Sequence, residues 1–183
     1  ATLSHMHLPV TLDIVKAGHN VLVEKPLARK VKDVDRMVAA GKRAGVAFAI
    51  FQQSRFAPYF EQVRKVIDSG VLGRIVQVRI CFSGFSRRWD HQTLTDCDGG
   101  NLMNTGPHPL DQALRFLDLP LNKVPEILCH MDNTHFFGDA EGHVTLVMRA
   151  PNRPLIDLQI SSDCAYSPGM YNVFGTKGGL HAA

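Results

Sequence analysis

Lys25 and His108 are the two residues of this chain whose setting suits proton handling. Lys25 stands in Glu24-Lys25-Pro26, at the end of the short apolar run Asn20-Val21-Leu22-Val23. In open α/β sheets, ligands sit at the carboxyl ends of the strands. A lysine there is partly desolvated, which lowers its pKa and lets it exchange protons. The Lys25-Pro26 bond is a candidate for cis geometry in a tight turn. The same three residues also suit a charged pair leaving a strand. His108 belongs to Gly99-Gly100-Asn101-Leu102-Met103-Asn104-Thr105-Gly106-Pro107-His108-Pro109-Leu110-Asp111, which reads as two glycines, a polar turn and a helix start. In a first helical turn the helix dipole disfavours a charged imidazole and keeps a base ready. Asp111, three residues on, can lie near the imidazole and pushes the other way. Asn104, just ahead of the helix, is placed to cap it or to aim its amide at a ligand. A capped helix with an incidental histidine fits this block as well. His108 and Asp111 could be two metal ligands, but no spacing identifies a third, so no metal is expected. His91, His130, His135, His143 and His181 lack recognisable spacing and read as surface or strand residues.

These residues need elements to hold them. Residues 8–18 read as a helix, with Val10, Ile14 and Ala17 on one face and Gly18 as its stop. Asn20 to Glu24 is too short for a helix and reads as a buried parallel strand. A second helix covers 31–44, with Asp33 and Asp35 near its N-terminus, and 46–51 is another buried strand. Pro58 opens a helix that Gly70 closes. After Gly73 the period changes to two: Val76, Val78, Ile80 and Phe82 point one way, Gln77 and Arg79 the other, as in an antiparallel sheet with one face exposed. A helix over 107–118 places Leu110, Ala113, Leu114 and Leu117 on one face. Strands recur at 125–131, 143–149, 155–161 and 171–175. The chain therefore divides into residues 1–56, the later half of a Rossmann-type parallel α/β sheet, and 57–183, an α+β unit with a mostly antiparallel open sheet.

Composition removes several classes. No run approaches the about 18–20 apolar residues of a membrane helix. Twenty basic against 17 acidic residues give only +3, and the basic residues are scattered without aromatic interleaving, so a nucleic-acid surface is not expected. The four cysteines, Cys81, Cys97, Cys129 and Cys164, form no Cys-x-x-Cys, which fits reduced thiols in a cytoplasmic protein.

Five blocks in order resemble the Gfo/Idh/MocA family of glucose–fructose oxidoreductase and inositol dehydrogenase. They are Ala17-Gly18 followed by the short strand and Glu24-Lys25-Pro26, then Thr2-Leu3-Ser4-His5-Met6-His7 upstream, similar to a Thr-Pro-x-x-x-His with Leu3 for the proline. Next come Gln53-Ser54-Arg55-Phe56-Ala57-Pro58 at the entry to the second unit and Val71-Leu72-Gly73-Arg74-Ile75 as a strand opening. Last is the Gly-Gly block through Asp111. Gly175-Thr176-Lys177-Gly178-Gly179-Leu180 resembles a late strand turn.

The resemblance implies an NAD- or NADP-dependent dehydrogenase acting on a secondary hydroxyl of a sugar or cyclitol, in a cleft between the two units. It gives Lys25 the hydrogen bond to the reacting hydroxyl and His108 the proton transfer. Asn104 takes a position where many members carry an Asp that orients substrate; the amide keeps the hydrogen bonds and loses the charge. Thr2, Ser4, His7, Glu24, Lys25, Pro26 and Gln53 fall on the cofactor side. Trp89, Asn104, His108 and Asp111 fall on the substrate side, and Arg87, Arg88 and Gln92 lie close by. It further implies a homo-dimer or tetramer through the open sheet. The Gly-x-Gly-x-x-Gly turn of such enzymes is not among the 183 residues, and at about 30 residues per βαβ unit some 70 upstream positions are expected to carry it. Two other classes stand beside this one. One is a non-catalytic fragment that only associates through its sheet; the other is a metal-dependent hydrolase or lyase using His108 and Asp111.

Overall fold

Two short strands and two helices fold first along the chain. The structure, a computed structural model, describes residues 2–134 and 137–183, so His135 lies outside the described residues. Helix α1 (His7–Lys16) ends at Ala17, and Gly18, with φ of 80°, turns the chain into strand β1 (Val21–Glu24). Helix α2 (Val31–Ala44) and strand β2 (Phe48–Phe51) follow, and β2 lies parallel to β1 with Val21 opposite Phe48. At the entry to this pair the Asn20 side chain accepts the Ala47 N–H at 2.8 Å. Gly41 lets α2 approach β2: a Cβ there would stand 3.2 Å from that of Phe48.

The expectation of two buried strands needs correction. Of their eight residues only Val23 is buried, and Leu22 is 61% exposed. The register puts Val23 and Phe48 on one face, with Gly41 of α2 against Phe48, and Leu22 and Phe51 on the other. An apolar run does not distinguish one-sided from two-sided cover.

A 3-10 turn at Gln53–Phe56 leads into the second unit. Its elements are α3 (Pro58–Asp68), β3 (Ile75–Ser83), a single helical turn α4 (Asn101–Asn104), α5 (Pro107–Leu117), and strands β4 (Glu126–Asp132), β5 (His143–Arg149), β6 (Leu155–Ser161), β7 (Tyr171–Gly175) and β8 (Gly179–Ala182). The six strands lie in the order β4-β5-β6-β3-β7-β8, antiparallel except for β3 beside β6. The expected turn after β7 is present, with Gly175 N donating to Gly178 O at 2.9 Å. It is followed by β8, whose four residues carry no pattern that declares a strand. Val76 does not face the core with Val78 and Ile80 but is 46% exposed. A register shift between Ile75 and Gln77 against β7 makes it an extra residue, and a bulge of this kind inverts the alternation locally.

The core lies on one face of this sheet. Val78, Ile80, Ile156, Leu158, Ile160, Val144, Met148 and Val173 meet Val63, Ala113 and Leu117 from α3 and α5. Burying each large aliphatic side chain there contributes about 1.5–3 kcal/mol before chain entropy is counted. Phe60 sets its ring edge-on to Phe116 at 5.3 Å between centroids. The opposite sheet face mixes polar and apolar residues, with Arg79 paired to Asp157 at 2.8 Å across β3 and β6 and Leu128 and Phe174 exposed. Leu114, expected in the apolar stripe of α5, is instead half exposed at a cleft beside β2. Among the described residues no helix is long and apolar enough to cross a membrane.

Candidate active site

The Gly-Gly pair explains how α4, the turn ahead of the histidine helix, is seated. A Cβ on Gly99 would stand 2.6 Å from the Gln92 and Leu94 carbonyl oxygens, and Gly100 has φ of 99° with Glu141 directly against it. Only glycine permits both approaches. Glu141 then caps α4, its carboxylate accepting Leu102 N–H at 2.8 Å and its carbonyl accepting Asn101 N–H at 3.0 Å. The Asn101 amide donates to Gly142 O at 2.5 Å and to Ser162 Oγ at 2.9 Å, tying the turn to the sheet.

This arrangement changes the expected part of Asn104. It does not cap α5, whose N-terminal flanking residue is Gly106 without a side-chain cap. Asn104 closes α4 with its own N–H donating to Gly100 O at 2.8 Å, and its side chain turns to Gln92, where Nδ2 donates to Oε1 at 2.5 Å.

Lys25 reaches the same residue from the other unit. Its Nζ donates to the Asn104 carbonyl at 2.6 Å and lies 3.4 Å from Asn104 Oδ1. The Lys25-Pro26 peptide is cis. The buried His7 holds this turn, Nδ1 meeting the Pro26 carbonyl at 2.7 Å. Farther along the turn, Arg29 crosses to the Thr95 carbonyl at 3.0 Å and to Asp98 at 3.8 Å. Burial lowers the Lys25 pKa; Glu24 opposes this and Arg88 adds to it.

His108 stands in the first turn of α5, with Nδ1 3.1 Å from Ser54 Oγ. A buried column supports it. The Ser54 carbonyl accepts Gln112 Nε2 at 3.0 Å, and Gln112 Oε1 accepts the Tyr171 hydroxyl at 2.6 Å. Gln112 is fully buried with both ends of its amide used, so losing either partner would strand a buried polar atom at a cost of about 1–3 kcal/mol. Burial lowers the His108 pKa and the Lys25 cation lowers it further, against opposing effects of Glu24 and Asp111. Asp111 takes a partner of its own: both carboxylate oxygens meet the Arg55 guanidinium, at 2.5 and 3.1 Å. That pair raises the Arg55 pKa. The expected His108–Asp111 relationship is thus one of charge, while the hydrogen bonds of Asp111 go to the segment entering α3.

The remaining candidates fall into two groups. Thr2, His7 and Glu24 line a cavity of about 210 Å³ along β1, whose other walls include Val10, Ile14 and Val23. Lys25, Pro26 and Asp111 line a larger cleft of about 790 Å³ with Gln52, Arg55 and Leu110. Ser4 begins a 3-10 turn ahead of α1, and Gln53 is exposed; its neighbour Gln52 bonds the Pro107 carbonyl at 2.6 Å and lines the cleft instead. Trp89 is 83% exposed in the loop after β3, so it is not packing within this chain. Arg87 in that loop binds Asp163 at 2.7 Å and covers the Phe85 ring. His143 bonds Ser161 and Thr145, His181 bonds Asn172, and His91 and His130 are exposed. Among the described residues no group of three His, Cys, Asp or Glu could hold a metal ion.

Sequence reading missed Ser54, Gln112 and Tyr171. Gln112 carried a signal, a polar residue one turn after His108 beside the apolar stripe of α5. Tyr171 carried none, because its hydroxyl meets Gln112 only through the sheet register.

Residues 1–52 match the oxidoreductase family with an NAD-binding Rossmann fold, and residues 60–181 match the Gfo/Idh/MocA C-terminal domain. The chain belongs to the Gfo/Idh/MocA oxidoreductases. A curated relative, 1,5-anhydro-D-fructose reductase of Ensifer adhaerens, is 35% identical over 186 residues, covering 98% of this chain and 54% of that protein. GenD2 from gentamicin A biosynthesis, solved in complex with NAD, is 26% identical, with a TM-score of 0.84 over 100% of this chain and 52% of its own. An NAD-binding protein from Listeria innocua has the same fold, with a TM-score of 0.90 at 19% identity over 98% of this chain and 51% of its own. The chain spans about half the length of these proteins. The resemblance, the mixed parallel and antiparallel fold, and the nicotinamide cofactor class of the family thus agree with what the motifs implied.

Proposed function

We propose that the whole protein is an NAD- or NADP-dependent dehydrogenase or reductase acting on a secondary hydroxyl of a sugar or cyclitol, and that this chain holds its proton-handling residues. The observation that carries this is the meeting of Lys25 with Asn104 at 2.6 Å, from separate units, in the electrostatic reach of a half-buried neutral-leaning His108. In this reading residues 1–56 are the later half of the dinucleotide-binding unit and 57–183 the substrate and association unit.

The residues fit a nicotinamide nucleotide in kind. Thr2 and Glu24 offer hydroxyl and carboxylate along one cavity beside β1, and the half-buried Lys25 lines the larger cleft. When bound, the cofactor supplies the hydride acceptor or donor. Lys25 hydrogen-bonds the substrate hydroxyl and stabilises negative charge growing on its oxygen. His108, held neutral, takes the hydroxyl proton on oxidation and returns it on reduction. Ser54 orients the imidazole through Nδ1, which leaves Nε2 for that exchange. Asn104 contributes hydrogen bonds and no charge.

Titrating NAD(H) and NADP(H) into this chain tests the reading. Affinity near micromolar supports a nucleotide site formed by these residues. No binding at millimolar concentration would leave this chain an association role only.

That role has its own support. Every residue of β4 is exposed, and Leu128 on the open sheet face is 72% exposed. We assign this face to a contact between two copies of the chain, in a cytoplasmic dimer or tetramer; all four cysteines are free. Sedimentation is expected to show at least a dimer that Leu128→Glu weakens at least tenfold; a monomer at high concentration would sink the assignment.

A further inference from the structure

Between Arg88 and Lys25 runs a row of two side-chain amides, Gln92 and Asn104. Both ends of the row are cations that only donate hydrogen bonds. At one end Arg88 Nη1 donates to Gln92 Oε1. The same oxygen accepts Asn104 Nδ2 at 2.5 Å. Asn104 is thereby turned so that its Oδ1 faces Lys25 Nζ at 3.4 Å, beside the carbonyl that accepts the same ammonium at 2.6 Å. The alternative is self-defeating. If Gln92 offered Nε2 to Asn104 Oδ1, then Asn104 Nδ2 would face the ammonium, donor against donor. The shared oxygen is the arrangement that ends in an acceptor at Lys25. Gln92 is itself held: its N–H donates to Asp90 Oδ1 at 2.8 Å, and Asp90 also faces Arg88 at 3.7 Å.

We infer that Gln92 is a positioning residue: pinned by Arg88, it sets the amide polarity of Asn104 and so gives the ammonium of Lys25 a second acceptor beside the Asn104 carbonyl. This rests on the reading of Lys25 as the group that handles the substrate hydroxyl. It also explains why the chain carries Asn and not Asp at position 104. A carboxylate has no donor for Gln92 Oε1. To relieve the clash Gln92 would rotate its amide, which would set Nε2 against the Arg88 guanidinium.

A double-mutant cycle separates this from simple attraction. Asn104→Asp lowers the melting temperature by about 3–6 °C, and with Arg88→Met already in place the same change costs less than half as much, because Gln92 is then free to rotate. Attraction between a new carboxylate and Arg88 predicts the opposite sign. An additive cycle, or one of opposite sign, overturns the inference. The second readout is the titration of Lys25, followed by NMR in labelled protein, with Glu24, Arg88 and His108 as the charged or titratable neighbours. Gln92→Leu leaves Asn104 Nδ2 without its acceptor, so Oδ1 is no longer held facing the ammonium and the Lys25 midpoint moves further down. Gln92→Glu keeps an acceptor for both Arg88 and Asn104, so the midpoint does not fall. A midpoint unmoved in Gln92→Leu also overturns the inference. Neither readout depends on turnover, so failure of the oxidoreductase reading in a Lys25→Ala assay is a separate outcome.

Discussion

Replacing Lys25 by alanine lowers turnover of the whole protein by about 10²- to 10⁴-fold, the usual range for a positioned proton-handling group. It leaves the melting temperature within a few degrees of the original. The two halves of this expectation have one cause. The ammonium is half buried, which lowers its pKa, and it is held there against a carbonyl oxygen of the facing unit. Such a group is costly to keep and is not part of the core, so its removal relieves desolvation while losing one hydrogen bond. A purely structural lysine would show the reverse pattern, with stability lost and turnover kept. Steady-state kinetics on a substrate that the original protein turns over, beside a thermal melt, reads both. Equal activity of mutant and original would overturn the role.

The second large effect falls on His108. His108→Gln retains a hydrogen-bonding group beside Ser54 but no base, and a loss of about 10²- to 10³-fold in turnover is expected. The acidic limb of kcat/KM in the oxidation direction should vanish with it. In the unsubstituted protein that limb lies below 6.5, the ordinary histidine value, because burial and then the Lys25 cation disfavour the imidazolium. The sign for stability follows the same way. Between the lowered folded value and 6.5 the unfolded chain binds more protons than the folded one, so stability rises with pH across that window. The cost of protonating His108 is fully present below the window. A kcat/KM profile with its acidic limb above 6.5, or one that persists in His108→Gln, contradicts the assignment.

Most elements of the second unit were legible from period and helix-end signals, α4 and β8 excepted. Ile156, Leu158 and Ile160 alternate cleanly, and the structure places them on the core face of β6. The strand that carries Lys25 was legible as a strand and misleading as a buried one. Its apolar run reports what the strand can tolerate on both faces, while the cover present here is on one. Val76 failed for a local reason, since a bulge adds a residue that no alternation can foresee. Asn104 failed because α4 begins three residues before it, and Gly99 and Gly100 permit that early start only through contacts with Gln92 and Glu141, both distant from the helix in pattern if not in space. The residues around the site that touch across units, Lys25 with Asn104, Arg55 with Asp111 and Ser54 with His108, have sequence separations of 79, 56 and 54. Spacing rules work within an element and have nothing to say at that range.

The column from Tyr171 through Gln112 and Ser54 to His108 has a consequence for how the protein can change over generations. Each member bonds the next with atoms that have no spare partner, so drift at any one of them is visible to selection through all the others. Trp89, by contrast, lies open to solvent and can be exchanged alone, although Arg87, Arg88 and Gln92 beside it are tied by hydrogen bonds. In the proposed reading, which sets Trp89 on the substrate side, diversification of what the site accepts is expected to begin at that position, while the imidazole keeps its bearings.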